Sequence, residues 1–201
     1  MAARVPVYSI SVEEYLESEK TAPVRHEYVA GQIYAMAGAS DAHNTIAGNA
    51  FTLLKAQLRG GPCRVYMSDM KVWIEAAGVF YYPDVLVTCD PEDNGEYAKT
   101  RPSLIVEVTS PSTTVTEHRE KLLAYRKLPS LREYVMIAQH EMLVEIYRID
   151  ARGYWWFETY GPEHTFALES VSMEIAVRDL YEDVVLRPWP SGWPEPPTNP
   201  V

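Results

Sequence analysis

Cysteine is nearly absent from this 201-residue chain, and its scarcity excludes more than it suggests. Cys63 and Cys89 are too few for a disulfide framework, and neither has a Cys or His nearby at zinc-ligand spacing. Both read as small core residues. Long apolar runs are also missing: none approaches the roughly 18 residues that span a bilayer, and MAARVPVYSI lacks the apolar centre of a secretory signal. A cytoplasmic location without a membrane segment is expected. Positive charge is the third scarcity, with 18 Lys and Arg against 28 Asp and Glu and a net charge of −10. Long-range attraction to a polyanion is therefore weak. A carboxylate-rich metal site is acidic by construction, however, and becomes less negative when its ion binds, so the balance does not rule out a nucleic-acid substrate.

What is present is ordinary for a globular protein, with 47% hydrophobic and 23% charged residues. The length suits one α/β domain, placed at residues 1–186. The tail RPWPSGWPEPPTNPV, residues 187–201, is rich in proline and is expected to lack regular structure, with Trp189 and Trp193 able to dock it on a neighbour. SVEEYLESE has a Ser at an N-cap position and acids in the first turn, so it predicts a short helix before Pro23. HEYVAGQIYAMAG alternates about Gly31 as a β-hairpin does. Ile46, Phe51, Leu54 and Leu58 recur near helical spacing up to Gly60-Gly61. Strands are then expected over about 64–75, 79–89 and 103–109, a helix over about 115–128, and three more strands in YVMIA, LVEIYRI and YWWFETY. The order predicts a mixed central β-sheet flanked by helices, with an extra β-hairpin at each end.

Two acids stand out. Pro83 lacks a backbone donor, so inside FYYPDVLVT it marks an edge, a bulge or a strand start, and it places Asp84 outside regular pairing. Glu107 interrupts the apolar run Leu104, Ile105, Val106, Val108. A carboxylate among buried residues is costly unless it is paired or bound to a metal. Two carboxylates on adjacent strands can share a hard cation such as Mg²⁺, and a nearby lysine completes the minimal set for phosphodiester hydrolysis. Glu117, Lys121 and Tyr125 are four apart and lie along one helix face. Taken alone, that spacing fits an exposed Glu117 to Lys121 pair equally well.

The order of parts resembles the PD-(D/E)XK nuclease superfamily. More narrowly, RHEYVAGQIYAMAGAS, YYPDVLV, SLIVEVTSPST and EKLLAYRKLPSLREYVMI look like the Uma family of restriction-endonuclease-like proteins, a likeness covering about residues 8 to 186. It implies a restriction-endonuclease-like core and a metal-dependent endonuclease acting on DNA. Asp84 and Glu107 would be the metal ligands, with Mg²⁺ as the ion and Mn²⁺ as a substitute. Thr109 occupies the place of the motif's lysine and cannot supply the charge. The resemblance implies that Lys121 of the following helix takes over that role. It also implies that Glu27 acts as a third carboxylate or anchors the hairpin, and that Glu117 and Tyr125 support Lys121. His43, at the start of the first long helix, is expected either to contact the site or a phosphate or to bond locally at the helix start. Asp69, in the second Asp-x-Lys of SDMKVWI, precedes the Pro-Asp pair and is expected near the site, with Lys71 as ordinary strand polarity. Cleavage of both strands by a one-metal site would require a homodimer, for which YWWFETY is a candidate surface. The alternative is a non-catalytic binding or regulatory protein retaining the nuclease fold, which the charge of −10 and Thr109 favour.

Overall fold

A proline and a left-handed serine facing each other set the layout. Arg64–Met67 (β3) and Lys71–Ile74 (β4) were expected as one strand, as were Val79–Tyr81 (β5) and Val85–Thr88 (β6); each pair is interrupted. Ser68 has φ 47°, and Pro83 has no N–H to offer a ladder. The two breaks lie side by side, because Met67 pairs with Val85 and the Ser68 amide donates to the Asp84 carbonyl at 3.0 Å. One long hairpin is thereby bent into two halves that serve different sheets. Asp84 occupies the bend.

The computed structural model describes residues 9–109 and 115–187. The inner half of the hairpin joins a six-stranded sheet of order β11-β10-β9-β8-β6-β3, where Leu104–Thr109 is β8, Glu133–Ala138 β9, Val144–Ile149 β10 and Trp155–Tyr160 β11. Only β8 and β9 run parallel within it, joined by the crossover helix α3, Val115–Tyr125. The outer half joins a five-stranded sheet of order β2-β1-β5-β4-β7, with His26–Val29 as β1, Gln32–Ala35 as β2 and Ala98–Lys99 as β7. Ala30 and Gly31 both have positive φ, 48° and 91°, the pairing that closes a tight two-residue hairpin between β1 and β2. A side chain at Gly31 would also collide with Ser9.

Alternation then assigns every core residue to a face. Leu104, Val106 and Val108 of β8 point to helix α2, Asp41–Gln57, and meet its Ile46, Ala47, Ala50 and Leu54. Ile105 points the other way, to Ala124 and Tyr125 of α3. Helix α1, Val12–Glu19, starts at a full capping box between Ser11 and Glu14 and packs Tyr15 on Tyr28 and Phe80, the outer face of the five-stranded sheet. A closing layer that the sequence pattern did not reveal lies beyond β11: the hairpin of Thr165–Leu168 (β12) and Met173–Ala176 (β13), followed by the short helix Val177–Leu180 (α4). Phe166, Leu168, Ile175 and Leu180 seal the α2 side of the core.

Three expectations need correction. Cys63 and Cys89 form a disulfide, since β3 and β6 pair from Arg64 with Thr88 and the next opposed positions are 63 and 89. Helix α3 ends at Tyr125 instead of about 128, although Leu128 and Leu131 still pack into the core. Lys71 is buried, with its ammonium 5.2 Å from the centre of the Tyr82 ring, and burial pushes its pKa down. The proline-rich tail lies outside the described residues from 188 onward, as do residues 110–114. Among the described residues, no helix is long and apolar enough to cross a membrane. The disulfide closes a chain separation of 26 residues, for which loop entropy gives about 3.5 kcal/mol of stabilisation. Urea unfolding of the Cys63→Ser, Cys89→Ser double variant should show a loss of that order, and an unchanged midpoint would remove the bridge from the account of stability.

Candidate active site

Asp84 leaves the ladder at the bend, and its side chain replaces the missing backbone partner. Oδ2 accepts the Val108 amide at 2.7 Å, and Oδ1 lies 2.9 Å from His43 Nε2. His43 arrives through a capped helix start: Ser40 Oγ accepts the His43 amide and fixes the first turn of α2. Burial pushes the His43 pKa down despite a pull upward from Glu107, so the imidazole is neutral near pH 7. Ionised Asp84 can only accept, which places the imidazole proton on Nε2. Burial raises Asp84 to about 6, against the Val108 amide and Lys121, which pull it down.

Glu107 shares its face of β8 with Ile105, so the alternation that buries the β8 valines against α2 turns this carboxylate toward α3. Two α3 side chains one turn apart meet it there. The Tyr125 hydroxyl donates to Glu107 Oε1 at 2.8 Å, and Lys121 Nζ lies 3.3 Å from the same oxygen. Lys121 also reaches Glu27 Oε1 on β1 at 2.8 Å, an ion pair outside directed hydrogen-bond geometry that leaves this buried oxygen without a proper donor. The ammonium sits 5.3 Å from the centre of the Tyr81 ring. All four of Glu27, Asp84, Glu107 and Lys121 have side chains 13–19% exposed, enough to be reached but mostly out of water.

The charges do not balance. Burial opposes the charge on Lys121, but Glu107 and Glu27 outweigh it and hold the amine above its usual range, so it stays protonated. Burial raises the pKa of Glu107 and of Glu27, and the Lys121 attraction only partly offsets this. Two carboxylates thus pair with one ammonium and a third, Asp84, feels its charge, and proton uptake or a further cation is what relieves the excess. Among the described residues no three His, Cys, Asp or Glu side chains form a ready cage for a metal ion. Mg²⁺ does not require one, since it is commonly held by one or two carboxylates and keeps several waters. Asp84 and Glu107 fit that requirement, because the Val108 amide bonded to Asp84 belongs to the residue next to Glu107 and the Asp84 charge pushes the Glu107 pKa up.

Of the residues singled out from sequence, the structure brings Asp84, Glu107, Lys121, Glu27, His43 and Tyr125 together. Asp69 is not among them: its side chain is 69% exposed and ion-paired with Arg25, because the left-handed turn at Ser68 swings it outward. Glu117 is exposed in the first turn of α3, where its charge acts on His118. Two participants were missed. Tyr81 was hidden in the aromatic run VFYY, although its alternation with Val79 places it on the inner face of β5. The Val108 amide leaves no trace in the residue alphabet.

Comparison with known proteins identifies the family and the fold. Residues 12–178 match the family Uma2, described as "Putative restriction endonuclease". The uncharacterized protein slr1290 of Synechocystis sp. is 36% identical over 177 residues, covering 88% of this chain and 93% of its own length. A second uncharacterized Synechocystis protein, sll1609, is 36% identical over 142 residues, covering 69% of this chain and 80% of its own. A crystal structure of a "putative nuclease belonging to DUF820" from Anabaena variabilis superposes with a TM-score of 0.71 at 16% identity, over 88% of this chain and 99% of that one, and shows that the mixed α/β fold is shared. The match across 167 of the 201 residues, from 12 to 178, makes this chain a member of the Uma2 restriction-endonuclease-like family.

Proposed function

We propose that the protein is a divalent-metal-dependent endonuclease that hydrolyses DNA phosphodiesters. The observation that carries this reading is the meeting of Asp84, Glu107 and a protonated Lys121 at one partly open point, with more carboxylate than the lysine neutralises. Asp84 and Glu107 would hold Mg²⁺ or Mn²⁺, which when bound supplies charge neutralisation at the phosphate and acidifies the attacking water. Lys121 contributes as a cation. Held above its usual pKa, it is a poor proton acceptor, so it orients the water and offsets the charge of the pentacovalent phosphorane while the new P–O bond forms and the bond to the sugar oxygen breaks. Tyr125 fixes the Glu107 carboxylate by donating to Oε1, and His43 does the same for Asp84 Oδ1. Glu27 keeps Lys121 aimed at Glu107. A homodimer would supply the second site needed to cut both strands, and the exposed Trp156 and Phe157 on edge strand β11 are its candidate surface.

The non-catalytic reading draws on the charge of −10 and on Thr109, whose hydroxyl is spent on the Ile137 carbonyl at 3.4 Å. Plasmid nicking with Mg²⁺ or Mn²⁺ separates the two. Asp84→Ala and Lys121→Ala should each lower the rate by about 10²–10³-fold. Equal nicking by the native chain and both variants would expose a contaminant, and no nicking of any nucleic acid would favour a binding protein.

The acid pair also sets a pH window. A carboxylate must lose its proton to bind a metal, and Asp84 titrates at about 6, above the ordinary range for an aspartate. Calorimetric Mn²⁺ affinity should therefore be nearly flat above about pH 7 and fall roughly tenfold per unit below about pH 6. A fall delayed to about pH 4 would mean that Asp84 is not a ligand.

A further inference from the structure

Tyr34 stands directly opposite Glu27 in the β1–β2 ladder, so the two side chains rise from the same face of the five-stranded sheet as immediate neighbours. Continuing the β1–β5 register places Tyr81 on the other side of Glu27. The row Tyr34, Glu27, Tyr81 therefore leads from the open sheet edge to the ring beside Lys121. Its inner tyrosine is buried, whereas Tyr34 is 52% exposed. The Tyr34 hydroxyl donates to Gln32 Oε1 at 2.8 Å, a same-face contact two residues away that steadies the ring. β2 has no neighbour on its outer side among the described residues. A strand of nucleic acid can pair with or pass along this edge without displacing another described strand.

Charge offers the approaching strand little. Lys121 is committed to Glu27 and Glu107, and Arg25 at the foot of the hairpin is ion-paired with Asp69. The chain as a whole carries −10. A duplex, held mainly through phosphate contacts, would find few cations here. An unpaired strand carries fewer condensed counterions and presents base faces, which stack on an aromatic side chain whatever their sequence.

We propose that Tyr34 is a stacking platform for a nucleobase next to the scissile phosphate, and that the substrate is an unpaired stretch of nucleic acid. This rests on the hydrolytic reading above for the position of the phosphate, but not for the stacking itself. Tyr34 touches the base and not the reacting atoms, so it governs binding and substrate choice.

Fluorescence polarisation with a labelled oligothymidylate and a blunt duplex of equal length, in EDTA, measures the stacking without cleavage. The native chain should prefer the single strand, with a shallow salt dependence. Tyr34→Ala should weaken single-strand binding by about 5- to 150-fold, while Tyr34→Trp retains it. Because Tyr34 is exposed on an edge strand, circular dichroism of both variants should match the native chain. Equal single-strand binding by Tyr34→Ala and the native chain, or a native preference for duplex, overturns the proposal. Parallel nicking of a bubble-containing plasmid with Mg²⁺ keeps the two readings apart. Tyr34-dependent binding without metal-dependent nicking leaves the stacking site standing and defeats the hydrolytic reading; nicking indifferent to Tyr34 does the reverse. Absence of both binding and nicking overturns both.

Discussion

Where two antiparallel strands meet a residue that cannot donate and a partner turned left-handed, the ladder must break, and the geometry around Asp84 depends on that break. Had Pro83 and Ser68 been ordinary strand residues, β3–β4 and β5–β6 would form one straight hairpin within a single sheet. The bend separates the sheets, and it frees the Asp84 side chain to satisfy the Val108 amide in place of a ladder partner. It also brings β1 and its Glu27 into the same volume as β8 and its Glu107, because β1 pairs with the outer half of the hairpin and β8 with the inner half. Helix α3, bound to cross between parallel β8 and β9, can then place Lys121 between the two carboxylates.

The protein contains a useful internal contrast. Glu133 and Arg148 are a cross-strand pair on β9 and β10, 3.1 Å apart and almost fully buried. Glu133 also accepts amides from residues 169 and 170, and Arg148 donates to the Ala167 carbonyl, so the pair ties the β12 segment to the sheet. Its one visible defect is the Arg148 Nε hydrogen, which lacks a directed partner. Arg148 also lies 3.4 Å from Glu158 and 3.7 Å from Glu169, but those side chains are 38% and 78% exposed, so water carries the excess and the buried carboxylate is matched by the buried cation. In the Asp84 cluster the excess carboxylate is itself mostly buried, and the cost appears as carboxylates held above their ordinary pKa by burial. Stability alone gives no reason to retain such an imbalance, whereas a site that awaits a cation and a substrate does.

The arrangement also explains how a threonine can stand where the motif has a lysine. Positions 107 and 109 alternate onto one face of β8, so a lysine at 109 would have reached the space beside Glu107 from the strand itself. Lys121 reaches the same space from above, from a helix that packs on that face through Ala124 and Tyr125. Under the proposed hydrolytic role, what matters is a positive charge at a location, and the fold offers two backbones from which to deliver it. Delivery from α3 couples the charge to Glu27, which a strand-borne lysine would approach from a different direction.

Periodicity, capping and turn chemistry are local, and what depended on them was legible in the chain: the capped helices α1 and α2, the Ala30-Gly31 hairpin, the crossover helix and the alternation that sends Glu107 away from the β8 valines. The oddity of Pro83-Asp84 was legible too, but not its consequence. Whether two half-strands continue or part, whether Cys63 and Cys89 face each other, and whether Asp69 turns inward are set by pairing between segments some 20 residues apart, which no local pattern encodes. The layer from Thr165 to Leu180 escaped notice because its elements are short and its apolar residues follow no sustained period. Sequence by itself determined which side chains could carry metal-dependent chemistry. Only the tertiary structure decided that two carboxylates would share one ammonium with a third in its electrostatic reach, because desolvation and Coulomb interaction act through space, between groups brought together from β1, the hairpin bend, β8 and α3.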